Sequence, residues 1–93
     1  MSINKKMTDL TKLPNIGKVV AKQLKKVGIE SAEELKQLGS ENAFIRLKTI
    51  DPGACLSMLC GLEGAVQGVR WHNLSPERKQ ELKEFLKMVE KGL

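Results

Sequence analysis

Helix punctuation constrains this chain more than any other feature. Apolar residues recur at helical spacing, and the segments they form stop at Gly28, Gly39 and Gly68 and restart at Ser31, Ser40 and Ser75. Alternating runs of Val, Ile, Thr or aromatic residues, the mark of a half-buried strand, are absent. The pattern predicts an all-α domain. Five segments carry full helix signals and a sixth, at the start, carries weaker ones. No Pro/Gly/Ser linker, low-complexity tract or long repeat divides the 93 residues, so residues 1–93 read as one domain with short connections.

The weak segment runs around Lys5 to Leu13, with Thr8 as its candidate N-cap and Pro14 as its stop. The second spans about Lys18 to Val27, with Gly28 suited to the left-handed position past a helix end. In the third, Ser31 caps and Glu34 follows at capping-box spacing, with Ala32, Leu35 and Leu38 inward and Gly39 as terminator. Ser40 is expected to cap the fourth, with Ala43, Phe44 and Leu47 inward. Asp51 and Pro52 read as the cap and first turn of the fifth, expected to be the longest and most buried helix, from Pro52 to about Gly68. Its stripe is Cys55, Leu56, Leu59, Leu62, Ala65, Val66 and Val69. Glycines cost a helix up to about 1 kcal/mol each, so Gly61, Gly64 and Gly68 are expected where another helix approaches closely. Ser75 and Pro76 open the last helix, to Glu90, with Leu82, Phe85, Leu86 and Val89 at helical spacing.

Charge is uneven along the chain. Residues 1–50 hold ten Lys or Arg against five acids, and residues 51–93 hold six of each, so the whole net charge of +5 sits in the first half. Residues 1–28 alone contain seven lysines against Asp9. Such a local excess points to an anionic partner, although a solvated helix face has the same appearance. No apolar run approaches the roughly 18 residues of a membrane span, and Met1 to Lys12 has no signal-peptide core, so a cytoplasmic protein without membrane attachment is expected. Cys55 and Cys60, read as one helix, stand about 7.5 Å apart along its axis and cannot bridge each other. They have no metal-ligand spacing, and two small buried apolar residues are expected, with no cofactor or metal.

On a helical wheel Val20, Leu24 and Val27 share one side of the second segment, and Lys18, Lys22, Lys25 and Lys26 share the other. Ahead of that helix stands Pro14-Asn15-Ile16-Gly17. A turn there presents the N–H groups of Ile16, Gly17 and Lys18 at the positive end of the helix dipole, where phosphate is the commonest guest. Gly17 would let a phosphate reach the backbone, Asn15 tolerates a left-handed conformation, and Lys18 adds charge at the helix start.

These residues resemble a known element. "LPNIGKVVAKQL" is similar to the hairpin and second helix of a helix-hairpin-helix motif, whose hairpin usually reads Pro-Gly-Ile-Gly and holds the DNA backbone without reading sequence. The resemblance implies that Ile16 is buried in the hairpin and that Ala21 and Leu24 pack. It departs at Asn15, where the motif carries its first glycine. A wider resemblance covers nearly the whole chain: "GIESAEEL", "AFIRLK", "LEGAVQG" and "RWHNLSPERKQELK", in this order and spacing, look like the C-terminal domain of the TfoX/Sxy family of competence regulators. That family implies a compact five- or six-helix fold of helix-hairpin-helix or SAM-like type and a link to control of DNA-uptake genes and transcription. Longer members carry a preceding domain, and this chain is expected to be a free-standing C-terminal domain.

The expected function is therefore a non-enzymatic binding domain that contacts the backbone of double-stranded DNA through Asn15, Ile16, Gly17, Lys18, Lys22, Lys25 and Lys26. No helix shows an Arg/Asn/Gln face for base readout. The alternative is a protein-interaction module that docks a regulatory protein or a second copy of itself, with no nucleic-acid contact. "RWHNL" places His72, the only histidine, beside no nucleophile or paired acid. Trp71 is expected to close the core while His72 and Asn73 turn the chain.

Overall fold

The computed structural model describes residues 7–92, so Lys5 and Lys6, and with them the start of the weak first segment, lie outside the described residues. Five α-helices follow one another: α1 (Lys18–Lys26), α2 (Ala32–Leu38), α3 (Ser40–Ile50), α4 (Leu56–Gln67) and α5 (Pro76–Glu90). Single 3-10 turns precede α1 (Leu10–Lys12) and α5 (Trp71–Asn73), and no strand occurs among the described residues. The all-α, five-helix expectation holds.

Local chemistry explains most boundaries. Val27 and Gly28 close α1, with Gly28 at φ +87° and the Ile29 N–H donating 2.9 Å back to the Leu24 carbonyl. That is the i+5 bond of a Schellman ending. Gly68, at φ +79°, closes α4 in the same manner through Val69 N–H to Gly64 O at 2.8 Å. Ser31 caps α2 by accepting from the Glu34 N–H at 3.1 Å, but Glu34 reaches back to the Glu30 N–H at 2.6 Å rather than to that of Ser31. Ser75 caps α5 through the Arg78 N–H, with Pro76 in the first turn.

Four expectations change. Thr8 caps nothing: Asp9 caps the first turn, accepting from Thr11 N–H at 2.8 Å, while Thr8 donates its N–H and hydroxyl to Glu33 at 2.9 and 2.7 Å. Ser40 lies inside α3, whose cap is Gly39, because its hydroxyl is committed to Glu63. Asp51 and Pro52 form a tight turn instead of a helix start, with Asp51 Oδ1 accepting from Gly53 N–H and Asp51 O from Ala54 N–H. Consequently α4 begins at Leu56, is shorter than α5, and leaves Cys55 exposed at its N-cap while Cys60 is buried.

The core gathers on α4, which packs against α2, α3, α5 and the Trp71–Asn73 turn. Leu59 and Leu62 belong to one core cluster with Phe44, Leu47, Leu35, Leu24, Leu10 and Leu82, all fully buried. Each such side chain contributes roughly 1.5–3 kcal/mol of hydrophobic stabilisation. One polar cluster penetrates this core: Glu63 accepts from Ser40 (2.6 Å), Gln67 (2.6 Å) and Arg78 (3.1 Å), joining α3, α4 and α5. Burial alone would raise the Glu63 pKa, but the hydrogen bonds from Arg78, Ser40 and Gln67 outweigh it and hold the carboxyl below the usual glutamate value.

Candidate nucleic-acid interface

The hairpin before α1 is built on the first 3-10 turn. Leu13 N–H closes on Leu10 O at 3.1 Å, and Ile16 N–H donates weakly to Leu13 O at 3.4 Å. Between them Asn15 is the only non-glycine among the described residues with positive φ, at +70°. The left-handed conformation expected of it is present, and short polar side chains adopt it at least cost. Ile16 drops into the core with 5% of its surface exposed, joining Ala21 and Leu24.

The Asn15 side chain points inward. Its Nδ2 donates to Val69 O at 3.0 Å and Gly61 O at 3.3 Å, while its Oδ1 accepts from the Trp71 N–H at 3.2 Å. Asn15 thus bolts the hairpin to the end of α4 and to the loop beyond it. The α4 glycines make room for this bolt: a Cβ on Gly64 would stand 2.5 Å from Asn15 Nδ2 and 2.6 Å from Val69 O. Their close neighbours are therefore the hairpin asparagine and a loop, not the second helix that the sequence suggested.

Facing outward, Gly17 is the N-cap of α1, extended (φ −93°, ψ −175°) and supplying no side-chain cap. A Cβ there would meet nothing within 4 Å. The N–H groups of Gly17, Lys18 and Val19 have no intrahelical or capping partner among the described residues, as the first turn of a helix requires. The Ile16 N–H, expected to be free, is engaged with Leu13. Lys18, Lys22, Lys25 and Lys26 are all exposed on the side of α1 away from Ala21 and Leu24, with Val19 among them at 73% exposure. Among the described residues every ion pair is made by Arg78, so these four lysines have no carboxylate partner. Asp9 feels this charge only slightly: its pKa is lowered first by the Thr11 backbone and side chain, with lesser pulls from Lys25 and Lys12.

Of the seven residues singled out from the sequence, Gly17 and the four lysines form one exposed surface, Ile16 is core, and Asn15 positions the hairpin from beneath. Beside the hairpin lies an open groove of about 500 Å³ that also takes in Met58, Arg70 and Trp71. Trp71 was expected in the core and is instead 48% exposed. The 3-10 turn it begins delivers Leu74 to the core in its place, at 4% exposure. No sequence signal distinguishes the two, since both sit at the edge of a turn and either could plug it.

Residues 6–86 match the family model of the TfoX C-terminal domain. The chain belongs to that family. This TfoX C-terminal domain is also similar to two solved structures from Listeria monocytogenes: an uncharacterized protein in a triclinic form (TM-score 0.87, 49% identity, covering 89% of this chain and 94% of that one) and a protein of unknown function in a tetragonal form (TM-score 0.84, 49% identity, 87% and 99%). No curated protein matches it. At such identity the family assignment extends to the fold of the hairpin and helices together. Among the described residues no group of His, Cys, Asp and Glu is arranged to hold a metal ion, and no helix is long and apolar enough to cross a membrane.

Proposed function

We propose that this TfoX C-terminal domain is a non-enzymatic binding module that holds the phosphate backbone of double-stranded DNA without reading its sequence, in a regulatory setting. The observation that carries the reading is the unpaired lysine face of α1 running on from a hairpin whose outward N–H groups are open. Interaction with proteins alone gives no reason for so local a charge excess. Asn15 replaces the glycine usual in such hairpins yet keeps the left-handed backbone, and its side chain turns away from the side a phosphate would occupy. The departure therefore leaves the outward face of the hairpin open, and Asn15 and Ile16 act as supports while Gly17, Lys18, Lys22, Lys25 and Lys26 make the contacts.

Anisotropy of a labelled random-sequence duplex tests this. If all four α1 lysines pair with phosphates, affinity falls roughly 100-fold between 50 and 200 mM salt, from a slope of about 0.9 per phosphate neutralised. Lys18→Glu with Lys22→Glu removes binding and leaves the helical circular dichroism unchanged. Absence of wild-type binding at low salt refutes the reading. It would leave a second one: a groove of about 410 Å³ lined by Ile45, Thr49, Pro52 and Val89, with Ile45 and Ile50 exposed, favours docking of a regulatory protein or a second copy. Sedimentation at increasing concentration detects the second copy.

A further inference from the structure

An exposed tryptophan is unusual, since this side chain is largely buried on average. Here Trp71 leaves 48% of its surface open beside the hairpin, although its own backbone is fixed: the N–H is held by Asn15 Oδ1 at 3.2 Å. The His72 ring stands at 89° to the indole with 5.9 Å between centroids. Arg70, the residue before it, is exposed and has no ion pair among the described residues. Ile16 and Met58 supply apolar lining to the same groove, whose size falls in the ~300–1,000 Å³ range of small-ligand sites. Its one carboxylate, Asp51, is already engaged by the Gly53 N–H.

We propose that this groove receives an unpaired base of single-stranded nucleic acid, stacked on Trp71, with an adjoining phosphate held by Arg70. The inference deepens the backbone-binding reading and rests on it. An aromatic platform beside unpaired cations is the combination by which proteins hold single strands, because every base offers a π-face and every linkage a negative charge. The Asn15 bond fixes the Trp71 backbone beside the groove, and Arg70 is its immediate chain neighbour, so a stacked base and its adjoining phosphate fall to consecutive residues. A duplex keeps its bases stacked inside and offers the groove only phosphates.

Trp71 is the only tryptophan in the chain, so its emission reports the groove directly. The full chain is titrated at low salt with oligothymidylate and, separately, with a random duplex of equal length. The expected result is quenching of Trp71 by the single strand, and a fall of about 10-fold in the ratio of single-strand to duplex affinity for Trp71→Ala, within the ~1–3 kcal/mol range of one base stack. Trp71→Phe, which keeps an aromatic face and the packing, restores most of that ratio. Duplex binding together with a single strand that leaves Trp71 unquenched, or with an unchanged affinity ratio in Trp71→Ala, overturns this inference and leaves the backbone-binding reading in place. Failure of both nucleic acids to bind overturns the two together.

Discussion

Replacing Gly64 by alanine separates two physical arguments that predict opposite signs. Gly64 lies inside α4, and helix propensity alone says that Gly64→Ala stabilises by up to about 1 kcal/mol. The tertiary structure says otherwise. The new methyl would stand 2.5 Å from Asn15 Nδ2, 2.6 Å from Val69 O and 3.2 Å from Trp71 N. If Asn15 swings aside, its three hydrogen bonds are lost at about 0.5–1.5 kcal/mol each. The Val69 carbonyl belongs to the backbone and cannot swing, so the chain must shift as well, at a typical overpacking cost of about 1–3 kcal/mol. Set against the propensity gain, the net is a destabilisation of about 4 kcal/mol. For a domain of this size each kcal/mol lowers the melting temperature by roughly 4–8 °C, giving a fall of at least about 16 °C. Urea denaturation followed by far-ultraviolet circular dichroism reads the free energy. Combining Gly64→Ala with Asn15→Gly, which keeps the left-handed backbone and removes the obstructing amide, is expected to cost less than the sum of the single changes. A neutral or stabilising Gly64→Ala refutes the argument that the hairpin, rather than helix propensity, dictates this glycine.

Glu63→Gln is expected to destabilise by about 1.5–3 kcal/mol at neutral pH, the worth of a hydrogen bond to a charged group, because it weakens the link to Arg78. The folded Glu63 carboxyl lies below its ordinary value of 4.5, so the contribution is present above that value and lost as pH falls through the folded value. Denaturation midpoints of the two proteins should therefore converge in acid, and a gap that stays constant with pH contradicts the role of the charge. Cys55 is exposed, and its thiol pKa is lowered first by the Ser57 hydroxyl and then by the Ser57 N–H, whereas burial raises that of Cys60. A thiol reagent followed by mass spectrometry should label Cys55 rapidly and Cys60 only on unfolding; equal rates contradict the placement of α4. Ser31→Ala removes a fully buried cap and should cost about 1 kcal/mol by thermal melting, while Ser31→Asp, which can still accept from Glu34 N–H, tests whether the cap or the packing sets that cost.

Several features were legible because they are written in contiguous residues. Ser75-Pro76 marks the start of α5, Gly28 and Gly68 mark helix ends, and the lysine face of α1 follows from the helical period alone. The misreadings share one cause. Asp51-Pro52 and Ser40 satisfy local capping rules, yet the first became a turn and the second entered α3 with its hydroxyl turned to a glutamate 23 positions away. Trp71 was expected in the core, whereas the 3-10 turn buries Leu74 and leaves Trp71 half exposed.

The sequence by itself determined the all-α class, the approximate spans of α1, α2, α3 and α5, the family, and the concentration of positive charge ahead of residue 50. These depend on interactions within one or two helical turns, where propensity, capping and period act on neighbours along the chain. Only the tertiary structure decided that Asn15 turns inward, that Gly64 exists to accommodate it, and that Arg70 and Trp71 stand beside the hairpin. Those outcomes join residues 46 to 56 positions apart through single hydrogen bonds and a van der Waals contact. Such contacts leave no periodic trace, because their energy depends on where the packed helices place the two ends.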